Sequence, residues 1–104
     1  MENKHLYRYT SKDEGIWSAG KRLLPENLIE EANEQRKWLT KPNLPKGNYI
    51  FYMTEKGKEK YDETLLTTHK KYLSDIKQQR VSFEDASKLG KIVYEDEDQI
   101  VIEI

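Results

Sequence analysis

The chain has 104 residues, with 18 basic and 19 acidic side chains and a formal charge of −1, which is one domain's worth of sequence without the basic excess of a nucleic-acid binder. Hydrophobic and charged residues each make up 36%, against about 45–50% and about 25% in ordinary globular domains, so a thin core is expected. The absence of cysteine excludes disulfides, thiolate nucleophiles and cysteine-based zinc sites, and 11% aromatic residues argue against a disordered polar chain.

The first periodic segment, Leu6-Tyr7-Arg8-Tyr9, predicts a strand with Tyr7 and Tyr9 on one face and Leu6 and Arg8 on the other. Ser11-Lys12-Asp13-Glu14 matches a capping box, which predicts a short helix burying Ile16, Trp17 and Ala19 and stopped by Gly20. Pro25 suits the start of a second helix because its missing N–H would be unpaired there in any case. Glu26, Glu30, Glu31 and Glu34 lead that helix and Arg36 and Lys37 trail it, in the order the helix dipole favours. Its apolar stripe is Leu28, Ala32, Gln35 and Leu39, with Ile29 and Trp38 alongside.

Residues 40–48, with Pro42, Pro45 and Gly47, read as a loop. Tyr49-Ile50-Phe51-Tyr52-Met53 is apolar on both faces and predicts a central strand. Thr54 is placed to cap a long helix over residues 55–73, with Tyr61, Leu65, Thr68 and Tyr72 on its inner stripe. A further strand over residues 76–83 and a helical turn over 84–89, closed by Gly90, precede two β-type runs, 91–94 and 99–104, which form a hairpin around Glu95-Asp96-Glu97-Asp98. The fold class is therefore α+β. One small domain over residues 1–104 is expected, with a three- to five-stranded mixed sheet, two to three packed helices and a C-terminal β-hairpin.

Charge is segregated along the chain, +4 over residues 1–80 and −5 over residues 81–104, a polarity that suits internal attraction or two opposed partner surfaces. No phosphate loop, zinc-protease, nucleophile-elbow or EF-hand motif is present. His69, between Leu65, Leu66 and Leu73, reads as a packed histidine rather than a general base. The acidic tetrad has the carboxylates of a hard-cation site but no ligand spacing, so it reads as a solvated turn and no metal site is expected. Arg8, Lys21, Arg22 and Lys46, with nearby aromatic rings, are the candidate weak nucleic-acid surface. No apolar run approaches the ~18 residues of a membrane span, and the polar start lacks a secretory h-region. A cytoplasmic protein with no membrane partner is the expectation.

Leu6-Tyr7-Arg8-Tyr9-Thr10-Ser11 resembles the opening strand of ADP-ribosyltransferase-like domains. Ile50-Phe51-Tyr52-Met53-Thr54 resembles their middle strand, and the E-x-E of Glu95 and Glu97 resembles their late acidic element. The resemblance implies an NAD-binding domain in which Arg8 holds the dinucleotide's phosphate or ribose, Tyr52 stacks near nicotinamide and Glu97 stabilises the oxocarbenium-like ribose. The residues themselves, with few ways to build an activated nucleophile, favour a small non-catalytic binding protein without a cofactor. It would act on a protein partner, as accessory or mobile-element products do. The candidate contact residues are Arg8, Trp17, Lys21, Arg22, Trp38 and the acids Glu95, Asp96, Glu97 and Asp98; tryptophan and arginine are enriched among binding hot spots.

Overall fold

Strand β1 (His5–Ser11) turns tightly into β2 (Glu14–Gly15), and helix α1 (Ile16–Leu23) follows at once. The structure, a computed structural model, describes residues 4–104; residues 1–3, part of the start on which the reading of a leaderless chain rests, lie outside the described residues. Lys12 and Asp13 have φ of 48° and 67°, the two positive values of a type I′ hairpin turn, whose twist matches that of its strands. The capping box expected at residues 11–14 is thereby corrected. Ser11 is a buried strand residue whose hydroxyl donates to the Ser74 carbonyl at 2.7 Å, and the Glu14 carboxylate accepts from Ser18 and Arg22. Gly20 does not stop α1 but lies inside it, where a Cβ would stand 3.1 Å from His69 Nε2.

Helix α2 (Glu26–Gln35) begins directly after Pro25 and ends before Trp38 and Leu39. Strand β3 (Tyr49–Met53) leads into helix α3 (Glu55–Tyr72), and the Thr54 hydroxyl accepts from the Gly57 N–H at 3.1 Å, which satisfies one orphan donor of the first turn. Strand β4 (Ile76–Ser82) is followed by the single turn α4 (Phe83–Ser87), capped by Ser82, and then by the hairpin of β5 (Lys91–Glu95) and β6 (Gln99–Glu103).

Among the described residues the sheet has six strands in the order β2-β1-β3-β6-β5, with β4 also paired to β1, and all five ladders are antiparallel. This corrects the expected three to five strands of a mixed sheet. The extra strand is β2, whose two residues are too short to carry an alternation. The central placement of β3 holds, and the four helices among the described residues comprise three of eight residues or more and the short α4.

Both faces of the sheet are packed. Tyr9, Met53, Tyr61 and Leu65 join Ile16, Ala19, Leu28 and Ala32 under α1, α2 and α3. On the other face Leu6, Tyr52, Ile100 and Ile102 pack with Ala86 of α4. Tyr61 and Leu65 have no exposed surface, and burying side chains of this kind stabilises a fold by roughly 1.5–3 kcal/mol each. The apolar minority therefore sits where the sheet and helices meet, and the exposed strand β4 is held chiefly by its seven-residue ladder to β1.

Candidate functional site

A groove of about 700 Å3 runs between α1, α2, the 40–48 loop and β3. Its apolar wall comes from Leu24 and Ile29, from Leu39, Pro42 and Leu44, and from the rings of Tyr49 and Phe51. The loop is pinned over the sheet because the Gln99 side chain donates to the Thr40 carbonyl and the Tyr49 hydroxyl donates to the Pro45 carbonyl. Lys21, Arg36 and Lys41 line the same groove, and no Asp or Glu is among its described lining residues. None of the three forms an ion pair among the described residues. In a chain of net charge −1, this is a local concentration of positive charge around an apolar floor.

Behind the groove lies an aromatic cluster that reaches its lining through Trp17 and His69. Tyr9 and Tyr61 stack with centroids 4.6 Å apart, and Trp17 meets Tyr61 edge-on at 5.6 Å and His69 at 6.1 Å. The Tyr61 hydroxyl and His69 Nδ1 are 2.7 Å apart. Burial, reinforced by the Arg36 charge, pushes the His69 imidazole down to about 4, so it is neutral at physiological pH. Burial raises Tyr61 and Tyr9 above the ordinary phenol, and Asp62, which accepts from the Tyr9 hydroxyl at 2.5 Å, adds to the shift of Tyr9.

A smaller depression of about 270 Å3 adjoins the groove, sharing Trp17, Ser18, Tyr49 and Phe51 with it. Arg8, Glu14, Gly15 and Met53 complete much of its lining. Thus Arg8, Trp17 and Lys21, all candidates from the sequence, meet one continuous concavity. Arg22 lies outside that lining and is paired with Glu14. Trp38 packs against the larger core, its indole N–H donating to Thr64 at 3.3 Å, with Lys60 5.6 Å above the ring.

The acidic tetrad lies elsewhere and is tied to α3. Asp98 pairs with Lys60 at 2.8 Å and Glu97 with Lys56 at 2.6 Å, while the Thr54 hydroxyl donates to the Glu97 carbonyl at 2.6 Å. Burial alone would raise the Asp96 carboxyl, but the Tyr94 hydroxyl and the Asp98 and Gln99 N–H groups outweigh it and hold Asp96 below the usual carboxylate range. Lys56 likewise lowers Glu97. Among the described residues no group of three metal-ligating side chains comes together, and no helix is long and apolar enough to cross a membrane. Neither Tyr52, buried with only 3% of its surface exposed, nor Glu97 lines the groove or the depression that holds Arg8.

Sequence reading missed Arg36 and Lys41 as site residues. The available signal was the aliphatic content of the loop, Leu39, Pro42 and Leu44 beside Lys41, more than an ordinary solvated connection needs. Comparison with protein families, curated proteins and solved structures finds no match to this chain.

Proposed function

We propose that this protein is a non-catalytic binding module whose groove takes an acidic segment of a protein partner that also carries apolar side chains. The observation that carries this reading is the lining of the groove: three cations without carboxylate partners among the described residues, around aliphatic and aromatic side chains. Matching potentials steer association and select partners, and buried apolar contacts supply affinity. The aliphatic part of the wall, Leu24, Ile29, Leu39, Pro42 and Leu44, suits leucine- or valine-like side chains, and the chain lacks the basic excess that nucleic-acid binders carry. In this reading Trp17 is the anchor and Lys21, Arg36 and Lys41 select for negative charge.

The test is selection of a displayed library of random short peptides on the full chain, followed by titration of the best-enriched synthetic peptide and of a mixed-sequence single-stranded RNA. Enriched peptides that combine acidic and apolar residues, and that bind Lys21→Glu/Lys41→Glu at least about tenfold more weakly, support the reading. No enrichment, or tighter binding of the RNA, overturns it.

A further inference from the structure

Strand β1 is paired along its whole length to β4, so β2 and β3 must share its other edge. They do so unequally. β2 pairs Thr10 and Ser11, and β3 touches β1 through the single pair Tyr7↔Met53. The returning hairpin stands where β3 would have continued, and where the pairing of β1 with β3 stops lies the depression lined by Arg8, Tyr9, Glu14 and Gly15 and by Tyr49 and Phe51.

The direction of the β3 backbone follows from its other edge. Thr54 N–H donates to the Asp98 carbonyl and Ile104 N–H to the Asn48 carbonyl, each at 3.0 Å, and alternate residues of an antiparallel strand turn their groups to the same side. Ile50 and Tyr52 therefore face β6, whereas Tyr49, Phe51 and Met53 face the gap. Met53 meets Tyr7, which leaves the N–H and C=O groups of Tyr49 and Phe51 turned to the β1 side, where no strand pairs with them among the described residues.

We infer that the acidic segment adds to this inner edge of β3 as a short extended strand, pairing its backbone with Tyr49 and Phe51; this rests on the groove reading above. Strand addition of this kind draws affinity from main-chain hydrogen bonds and specificity from alternate side chains. One row of the segment's side chains lies toward Trp17 and the apolar groove. The other lies toward Arg8, which has no ion-pair partner among the described residues. The outer edges are guarded against such pairing, β4 by Lys77 and Arg80, β5 by Lys91, Glu95 and an irregularity between Ile92 and Tyr94. The inner edge, Tyr49 to Tyr52, carries no charge.

The test follows the amide protons of isotope-labelled full-length protein during titration with the best-enriched acidic peptide. The Tyr49 and Phe51 amides should gain at least about tenfold protection from exchange, with little change at Ile50 and Tyr52. Peptides N-methylated at the backbone should lose binding at alternate positions only. Charge-sensitive binding that leaves the Tyr49 and Phe51 amides unprotected overturns strand addition and leaves the groove reading standing, whereas a protein that enriches no peptide removes both. Protection that grows with protein concentration in the absence of peptide assigns the edge to a second copy and also overturns the inference.

Discussion

The Tyr61 hydroxyl and His69 Nδ1, eight residues apart on α3, lie 2.7 Å from one another behind Trp17. Of the two only His69 lines the groove, and its burial gives the fold a pH dependence. The imidazole titrates at 6.5 in an ordinary setting and at about 4 in the folded chain, because burial and then Arg36 disfavour its charge. Between those values the unfolded chain binds a proton that the folded chain does not. Stability therefore falls as pH is lowered through that window, by on the order of 3 kcal/mol from this residue. Urea unfolding near neutral pH and near pH 4 should show that much less acid sensitivity in His69→Gln, which keeps a polar partner for Tyr61 but cannot charge. Equal acid sensitivity of the two proteins would show that His69 does not carry it.

Gly57 is required by space rather than by backbone conformation. A Cβ there would fall 2.0 Å from the Asp98 carbonyl oxygen, where the first turn of α3 meets the β5–β6 turn. Gly→Ala inside a helix ordinarily stabilises by roughly 0.5–1 kcal/mol. Here Gly57→Ala should instead destabilise by about 1–3 kcal/mol, the cost of overpacking, with a lower midpoint in thermal unfolding. An unchanged or raised midpoint would contradict the close contact.

At the same junction Thr54 does two jobs, accepting from the Gly57 N–H and donating to the Glu97 carbonyl. Thr54→Ala should cost about 1 kcal/mol, as loss of a helix cap does. Glu97→Ala should leave the denaturation midpoint within error, because both members of its pair with Lys56 are more than half exposed and solvent screens such pairs. A reversed order of these two effects would place the junction's stability in the ion pair.

The first hairpin offers a gain. Lys12 and Asp13 adopt the positive φ values that Asn and Gly favour in a type I′ turn. The double change Lys12→Asn/Asp13→Gly should therefore stabilise the protein by about 1 kcal/mol, read as a raised thermal midpoint. A lowered midpoint would mean that the turn is not of this type.

Helices α2 and α3, strand β3 and the terminal hairpin were legible because each carries its signal locally: Pro25 and the order of charges, the stripe through Tyr61 and Leu65, five apolar residues in succession, and the run Gln99-Ile100-Val101-Ile102. The β1–β2 turn was misread because Ser11 and Glu14 satisfy a helix cap and a hairpin equally well on paper. Ser74, far along the chain, and Arg22, in α1, decide between them. Arg8, Trp17 and Lys21 were legible as contact candidates, whereas Arg36 and Lys41 were not, since Arg36 enters the groove from the end of α2 and Lys41 from a loop pinned by Gln99, far along the chain.

Local patterning, then, determined which segments become helices and strands and that the charged majority would leave a small core. That holds because helical and extended periodicities are properties of neighbouring residues. The tertiary structure alone decided that the acidic tetrad is tied to Lys56 and Lys60, and that three cations line one groove with Trp17. It also decided that β2 takes the place on β1 where β3 would have paired. Each of these depends on which distant segments share an edge or a face, and neither composition nor periodicity encodes that choice.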